Sequence, residues 1–350
     1  LVPRLNDSSL HQTRGSSVLR CLSTKVTPGV LSQSQSGWLS PIAWLGDAIP
    51  CSDVTSLVQC EPNQQPTEPS HQPKEAHVFY DTTMFLEKLE QTRDERSHAL
   101  VVLTPSESKR LIAKGVLELP EVRKVLQKGS LVVSRGVTPA YIVEELLGDT
   151  LPKEICTAGI VTDAKMAVTI PEQRLGPWVF RDGKVVEETA EAALEKFSAT
   201  DVSIKGANAL DPMGNTGILV AGGSGGTIGF SWPLVSSRGS HLIQPVSLER
   251  LIPSVTDAYF KCGNMLFDKV MGKTVGLLPV VTSLVVTEIE ALAVLTGVSA
   301  THVSSGGVGG SEGCVVLALE GSESTVTRAY QLVESVKGEP PVPVPELAGV

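Results

Sequence analysis

The stretch that most constrains the fold covers residues 200–252, where an apolar strand, a polar turn and a second apolar run lead into a glycine-rich loop. The glycines of this loop are Gly222, Gly223, Gly225, Gly226 and Gly229. Glycine tolerates positive φ and lets a backbone approach a ligand closely. A loop of this composition can fold tightly and leave its backbone groups accessible. We therefore expect the ligand-binding site of the protein here.

Composition narrows the class of protein. The chain has 350 residues, of which 41% are hydrophobic, so it can bury a substantial core. Its net charge is −9 and its basic residues are not grouped, which argues against a nucleic-acid surface because phosphate neutralisation needs clustered Lys and Arg. No apolar run has the roughly 18 to 20 residues needed to span a bilayer. We expect a soluble protein with neither nucleic acid nor membrane as a partner.

The six cysteines are scattered along the chain, without a C-x-x-C pair or a metal-type pairing with His. In a chain long enough to hold its own core, free thiols are a simpler expectation than disulfides. The sequence therefore predicts no metal site and no cofactor. A reducing compartment, and so a cytoplasmic location, is the corresponding expectation.

The first 75 residues differ in composition from the rest. Residues 1–45 carry four basic residues, one acid and nine serines, as an organelle transit peptide does. An upstream extension explains the same composition, and both readings stay open; a plastid or mitochondrial location follows only from the first. Residues 61–74 hold four prolines and little to bury, which predicts an extended linker.

After this extension, short apolar strands alternate with amphipathic helices. Thr104, Pro105 and Glu107 give the clearest helix start, as N-cap, first helical residue and partner in a capping box. The alternation is typical of βαβ units, so the fold class expected is α/β with a mostly parallel sheet and flanking helices. We assign this domain to residues 76–274, a small α+β unit to residues 275–338 and a disordered, Pro-rich tail to residues 339–350.

A second strand, glycine-containing turn and helix precede the opening stretch. An apolar strand over residues 130–134 runs directly into Arg135 and Gly136, with Thr138 as the expected N-cap of a helix over residues 140–147. Free N–H groups and the positive end of a helix can hold a phosphate or carboxylate. An ordinary strand-to-helix turn explains the same residues, so that alternative stays open.

Residues 129–146, GSLVVSRGVTPAYIVEEL, resemble the phosphate-binding strand, loop and helix of the type A ribose-5-phosphate isomerases. Residues 201–212 followed by Asn215 are similar to that family's D-G-A-D-E-V-D-P-x-x-N motif, and glycines 222–226 are similar to its K-G-G-G-G run. These motifs cover about 100 residues. The resemblance implies membership of the wider isomerase and CoA-transferase-like superfamily.

The resemblance also implies a set of ligand-binding residues: Arg135, Gly136, Thr138, Lys205, Gly206, Asn208, Asp211, Gly222, Gly223, Gly225 and Gly226. Several of these have a simpler structural explanation. Asn208 and Asp211 suit an Asx turn, and Lys205 suits a surface position at a strand end. The glycine run suits a flexible hairpin.

The chain departs from the isomerase pattern at the residues that carry the reaction. Lys205 and Asn208 stand in place of two acids, Ala221 in place of a lysine, and Phe230 in place of the glutamate base. Because proton transfer between sugar carbons needs a carboxylate base, ribose-5-phosphate isomerisation is not expected. The catalytic residues are unknown, and the two candidates are Lys205 and, because CoA transferases use a glutamate nucleophile, Glu249.

We expect the protein to bind a phosphorylated small metabolite, such as a sugar phosphate, a nucleotide or a CoA ester. Lys205 supports an anionic ligand because it places a cation where the isomerases have an anion. Isomerase or transferase chemistry at this site stays open. The alternative is a ligand-sensing protein without chemistry, or a structural assembly protein. The sequence is compatible with a homo-oligomer.

Overall fold

The computed structural model describes residues 79–87 and 95–348. These residues fall in one compact unit. The expectations for residues 1–75, both the transit-like segment and the Pro-rich linker, lie outside the described residues. None of the helices described is long and apolar enough to cross a membrane.

The described residues form eight α-helices and fourteen β-strands. The helices are α1 (Pro105–Glu118), α2 (Pro120–Gln127), α3 (Val137–Leu147), α4 (Ala190–Leu194), α5 (Gly226–Arg238), α6 (Val255–Phe260), α7 (Glu288–Thr296) and α8 (Glu323–Ser335). The strands are β1 (Ser97–Leu103), β2 (Ser130–Val133), β3 (Gly159–Thr162), β4 (Lys165–Val168), β5 (Trp178–Arg181), β6 (Lys184–Val186), β7 (Val202–Ile204), β8 (Ala209–Leu210), β9 (Thr216–Val220), β10 (His241–Pro245), β11 (Gly276–Val280), β12 (Leu284–Val286), β13 (Ser299–Ser305) and β14 (Val315–Gly321).

The largest sheet has six strands in the order β12–β10–β7–β2–β5–β6. The first four are mutually parallel, whereas β5 and β6 add an antiparallel hairpin at one edge. Two three-stranded sheets, β1–β14–β13 and β11–β9–β8, are antiparallel. The expected α/β class is confirmed as a mixed α/β fold, but a mostly parallel sheet is not, because the described strands form seven antiparallel pairs and three parallel ones.

Both faces of the six-stranded sheet are covered, which explains the uninterrupted apolar runs at its centre. Every residue of β2 and β7 is buried. Leu131 and Val133 pack with α1, α2 and α3 on one face, while Val132 packs with α4 and α5 on the other. Alternate residues of a strand point to opposite faces, so β2 contributes to two cores at once.

Helix α1 begins as the sequence predicts. The hydroxyl of Thr104 accepts the Glu107 N–H at 3.3 Å, the Glu107 carboxylate accepts the Thr104 N–H at 2.9 Å, and Pro105 is the first helical residue. Gly115 lets α1 approach α7, because a Cβ at this position would lie 2.6 Å from the Cβ of Ala291. Helix α1 therefore packs against apolar residues on both of its sides.

The segment expected to form a separate C-terminal α+β unit, residues 275–338, contributes strands to all three larger sheets. Strand β14 pairs along its whole length with β1, and β12 pairs with β10. Hydrogen-bonded ladders therefore cross the expected boundary at residue 274. The glycine-rich stretch at residues 306–310 lacks the Lys-Ser/Thr and the following helix of a phosphate loop, which predicts a hairpin connection, and in the structure it connects β13 to β14.

The apolar pattern of residues 254–272 predicts a helix whose aromatic residues face the core, but the helix in the structure is much shorter. Helix α6 ends at Phe260, and the following residues form turns around Gly263 and Asn264. A Gly-Asn pair favours a turn over a continued helix. The apolar side chains expected in the core are consequently exposed, with Phe260 70% and Met265 95% accessible.

The Pro-rich tail, expected to be disordered, lies against the domain from Glu339 to residue 348. Arg110 donates from Nε and Nη2 to both carboxylate oxygens of Glu339 at 2.9 and 3.0 Å. The Ala348 N–H donates to the Val168 carbonyl at 3.0 Å. Repeated prolines exclude a helix or an inner strand but do not prevent an extended segment from docking.

Candidate functional site

A cleft of about 570 Å³ opens where β2 and β7 end. Most of its wall comes from five segments: residues 135–139, 157–162 with 166–168, 205–208, 218–222 with 225–228, and 342–345. They include the start of α3, the β3–β4 hairpin, the glycine loop and the C-terminal tail. The volume lies within the ~300 to 1,000 Å³ typical of small-molecule sites.

The cleft brings together all the predicted ligand-binding residues except two. The residues that line it are Arg135, Gly136, Thr138, Lys205, Gly206, Asn208, Gly222, Gly225 and Gly226. Asp211 and Gly223 are not part of the lining. The two motifs that the resemblance pairs, about 65 residues apart in sequence, thus face the same space.

The turn before α3 differs from the expected one. The helix begins at Val137, Gly136 is its N-cap, and Thr138 is the second helical residue instead of the cap. No side chain caps this end. In the described part of the chain, no acceptor is found for the N–H groups of Val137 and Thr138. The prediction of Thr138 as N-cap is wrong, and the helix end is more open than a side-chain cap would leave it.

The glycine loop connects β9 to a helix; it is not a flexible hairpin. Gly225, at φ +74°, is the N-cap of α5, which begins at Gly226 without a side-chain cap. The loop folds back on the first turn of the helix, since a Cβ on Gly229 would lie 2.1 Å from the Ser224 carbonyl oxygen. A Cβ on Gly222 would meet no atom within 4 Å. The uncapped N-terminus of α5 therefore borders the cleft, as that of α3 does.

Positive charge dominates the cleft, although the whole chain is acidic. The cationic lining residues are Arg135, Arg174, Lys205, Arg250 and Lys273. Glu154 is the one carboxylate among the described lining residues. Such an excess of cations, together with two helix N-termini, makes the cleft attractive to anions.

Lys205 follows β7 directly, and its side chain is half-buried in the cleft. Its Nζ donates to the backbone carbonyl of Arg135 at 3.1 Å. Within the described ranges, no carboxylate lies within ion-pair distance of it. Burial without a counter-ion lowers the pKa of Lys205 to about 8.

Arg135 and Arg174 also make their hydrogen bonds to neutral groups. Arg135 donates to the Leu175 carbonyl at 3.2 Å, and Arg174 donates to the hydroxyl and the carbonyl of Thr169 at 2.8 and 2.5 Å. Burial and the neighbouring Arg174 guanidinium lower the pKa of Arg135, while Glu191 acts in the opposite direction. Arg174 therefore lies near enough to affect Arg135, and among the described residues neither guanidinium forms an ion pair with a carboxylate.

Asn208 and Asp211 both build turns. The side-chain oxygen of Asn208 accepts the Leu219 N–H at 3.0 Å and so fixes the turn to β9. Asp211 is buried and accepts from the backbone N–H groups of Asn215 and Val255, each at 3.0 Å. Asn208 therefore lines the cleft as part of its scaffold, while Asp211 supports the loop from behind.

Glu249 lies beside a shallow depression next to the cleft, not in the cleft lining. Its carboxylate is 2.7 Å from Nζ of Lys109 and 3.8 Å from Nε of Arg250. Burial lowers the pKa of Lys109, and the Glu249 carboxylate acts against that shift. A glutamate held in this ion pair is poorly placed to attack a ligand in the cleft.

The sequence reasoning missed Glu154, Arg174, Arg250 and Lys273. Glu154 and Arg250 lie in single turns of 3-10 helix, Arg174 and Lys273 lie in loops, and no motif marks them. Predicting these residues would require knowing where the β3–β4 hairpin and the loops pack. The described lining holds no His, Cys, Asp or Tyr, so its reactive groups are Glu154, two lysine amines and four threonine hydroxyls.

Comparison of the chain with family models, with curated proteins and with solved structures finds no match. The function therefore has to be inferred from the chemistry of the cleft.

Proposed function

We propose that this protein binds a phosphorylated small metabolite, such as a sugar phosphate, a nucleotide or a CoA ester, in the cleft at the ends of β2 and β7. The proposal rests on three cations that have no carboxylate partner in the described part of the chain: Arg135, Arg174 and Lys205. A partly desolvated cation is unfavourable unless an anion compensates it. A bound phosphate would supply that compensation.

The donors suit phosphate because they are numerous and come from different elements. Guanidinium groups bind phosphate oxygens in pairs, and the uncapped ends of α3 and α5 offer N–H groups from two further directions. A tetrahedral anion can accept from several directions at once. A single carboxylate has fewer oxygens to satisfy the same donors.

The placement in the isomerase and CoA-transferase-like superfamily is part of the proposal. It is supported by the convergence of residues 135–139 and 205–208 on one cleft, as the resemblance implies. The reaction of the isomerases is not proposed, because the described lining has Glu154 as its one carboxylate and that residue lies outside the family motif. Binding is thus better supported than any particular turnover.

Matched pairs of ligands test the proposal. The pairs are ribose 5-phosphate and ribose, AMP and adenosine, and CoA and pantetheine. In the pair that contains the true ligand, the phosphorylated compound should stabilise the protein against thermal unfolding and its unphosphorylated partner should not. For that ligand, Arg135→Ala and Arg174→Ala should each lower the affinity by about 10- to 100-fold, the loss expected for a charge-assisted hydrogen bond.

The matched control is Arg123→Ala. Arg123 is an exposed arginine that pairs with Glu118 and lies outside the cleft lining, so its loss should leave the affinity unchanged. Equal stabilisation by both members of every pair, or by neither, would overturn the proposal. Stabilisation by none would favour an assembly protein, and stabilisation without turnover would favour a sensor.

A further inference from the structure

We infer that Lys205 is a nucleophile that forms an imine with the carbonyl carbon of a phosphorylated aldehyde or ketone. The inference rests on the proposed function, since it specifies the chemical class of ligand that the same cleft takes. It assigns the arginines to the phosphate and the lysine to the carbonyl.

The position of Lys205 is fixed by the fold. It follows three fully buried residues of β7, and its N–H donates to the Ile243 carbonyl of β10 at 3.0 Å. The next residue, Gly206, passes so close to α3 that a Cβ would lie 3.3 Å from Cδ of Pro139. The amine is therefore held in the cleft lining beside the start of α3, and a fixed position of this kind is what attack on a ligand carbon needs.

Burial favours the neutral form of the Lys205 amine, because no carboxylate lies within ion-pair distance of it in the described ranges. Its hydrogen-bond partner, the Arg135 carbonyl, can accept from an amine as well as from an ammonium group. The uncapped start of α3, which follows Arg135 closely, carries partial positive charge and also disfavours a cation here. At a pKa of about 8, roughly a tenth of the Lys205 side chains are neutral at pH 7, against about three in ten thousand at the ordinary value of 10.5.

The other reactive groups of the described lining do not compete. It holds no Cys or His, and Lys273 is its only other amine. Arg135 and Arg174 can hold the phosphate as permanent cations, which leaves the Lys205 amine free for the carbonyl. A desolvated lysine near other cations is a recurring way of making an amine nucleophilic.

The step is a condensation. The nitrogen lone pair of Lys205 attacks the carbonyl carbon, an N–C bond forms, and the C–O bond breaks. The oxygen leaves as water whose two hydrogens come from the amine. No oxidant or reductant is consumed. Protonation of the imine from solvent gives an iminium, which withdraws electrons from the adjacent carbon and would acidify its C–H bonds.

Borohydride trapping tests the inference on the full chain. The protein is incubated with D-glyceraldehyde 3-phosphate or ribose 5-phosphate and reduced with sodium borohydride, which delivers hydride to the imine carbon. Peptide mass spectrometry should find the mass of the sugar phosphate less an oxygen atom on Lys205. Unphosphorylated glyceraldehyde or ribose, at equal concentration, should label this peptide at least 10-fold less.

Two variants keep the result interpretable. Lys205→Arg keeps the positive charge but cannot form the imine, so it should abolish the label while the variant remains folded. Lys184→Arg, at an exposed position of β6 outside the cleft lining, removes a surface amine and should leave the label in place. Labelling spread over surface lysines, or labelling at Lys273 alone, would overturn the inference.

Calorimetry with the same ligands separates this inference from the proposed function. If a sugar phosphate binds and no label appears on Lys205, the imine is excluded while phosphate binding stands. If only nucleotides or CoA esters bind, the carbonyl ligand class is wrong and the imine is again excluded. If no phosphorylated compound binds, both proposals fail.

Discussion

The side-chain nitrogen of Lys205 lies 3.1 Å from the backbone carbonyl oxygen of Arg135, so that a lysine after β7 is tied to the turn after the neighbouring strand β2. A carbonyl dipole compensates a buried positive charge less well than a carboxylate does. The pKa of about 8 reflects this deficit. The cleft thus holds a lysine whose positive charge the free protein stabilises poorly. An anionic ligand would compensate that charge, and an electrophilic ligand would react with the neutral amine.

Replacing Lys205 with methionine should stabilise the free protein near neutral pH. The pKa of Lys205 falls from 10.5 to about 8 on folding, so between these values the unfolded chain binds more protons than the folded one. The free energy of unfolding of the natural protein therefore rises with pH across that window, and the penalty is present in full below pH 8. Lys205→Met should raise the free energy of unfolding by up to about 3 kcal/mol at pH 7.

Urea denaturation at pH 7 and at pH 10.5 checks this prediction. The gain should shrink toward zero at the higher pH, where the natural lysine is mostly neutral. Lys184→Met, at an exposed position of β6, should change the free energy of unfolding by less than about 0.5 kcal/mol at both values. A loss of stability that is equal at both pH values would show that Lys205 contributes by packing alone.

The elements around the cleft could be predicted because their signals are local. Thr104 and Glu107 cap α1 through atoms three residues apart, and buried strands such as β2 show as continuous apolar runs. The antiparallel edge of the sheet was not predictable in the same way. The pairing of β5 with β2 joins residues about 50 positions apart, and the hydrophobicity of these residues does not indicate whether the two strands run parallel or antiparallel.

The predicted site residues and the missed ones differ for a physical reason. Gly225 has a φ of +74°, and a Cβ on Gly136 would lie 3.0 Å from Cδ of Pro139, so both helix starts favour glycine and leave a mark on the sequence. Arg174 and Lys273 reach the cleft only because their loops pack beside it, and an arginine or lysine in a loop is common anywhere. Thr138 is not the N-cap that the sequence predicts, because Gly136 precedes the helix and no side-chain acceptor caps it.

Gly229→Ala should disrupt the glycine loop and with it ligand binding. The new Cβ would stand 2.1 Å from the Ser224 carbonyl oxygen, so the loop before α5 must move. The expected destabilisation is about 1 to 3 kcal/mol, as for other overpacked positions. If the displaced loop loses one hydrogen bond to the phosphorylated ligand, worth about 1.4 kcal/mol of binding free energy, the affinity should fall about 10-fold. Thermal denaturation and calorimetry measure the two effects.

The matched control for this loop is Gly223→Ala. Gly223 has no atom within 4 Å of the new Cβ and does not line the cleft, so stability and affinity should both be nearly unchanged. If the two variants behave alike, the close approach at Gly229 does not hold the loop in its binding form.

Asp211→Ala should lower stability without changing the ligand affinity of the folded protein. The substitution leaves the N–H groups of Asn215 and Val255 without their acceptors in a buried turn. The free energy of unfolding should fall by about 2 to 4 kcal/mol, the effect of removing several buried hydrogen bonds. Urea denaturation measures the loss, and Asp268→Ala, at an exposed position, should show almost none. A selective loss of affinity would instead place Asp211 in the binding site.

Glu339→Gln should release the C-terminal tail from the cleft. Both Glu339 oxygens accept from Arg110, and a glutamine would turn an N–H donor toward the guanidinium in place of one of them. Losing a charge-assisted contact worth about 1.5 kcal/mol should make the tail open about 10-fold more often. Hydrogen exchange of the Ala348 amide, which donates to the Val168 carbonyl, should accelerate by a similar factor.

The control is Glu145→Gln, because Glu145 also contacts Arg110, at 2.9 Å, but belongs to α3. It should leave the exchange of Ala348 within about twofold of the natural protein. Since residues 342–345 form part of the cleft wall, Glu339→Gln should also speed ligand dissociation. Faster exchange with unchanged dissociation would mean that the tail covers the cleft without holding the ligand in it.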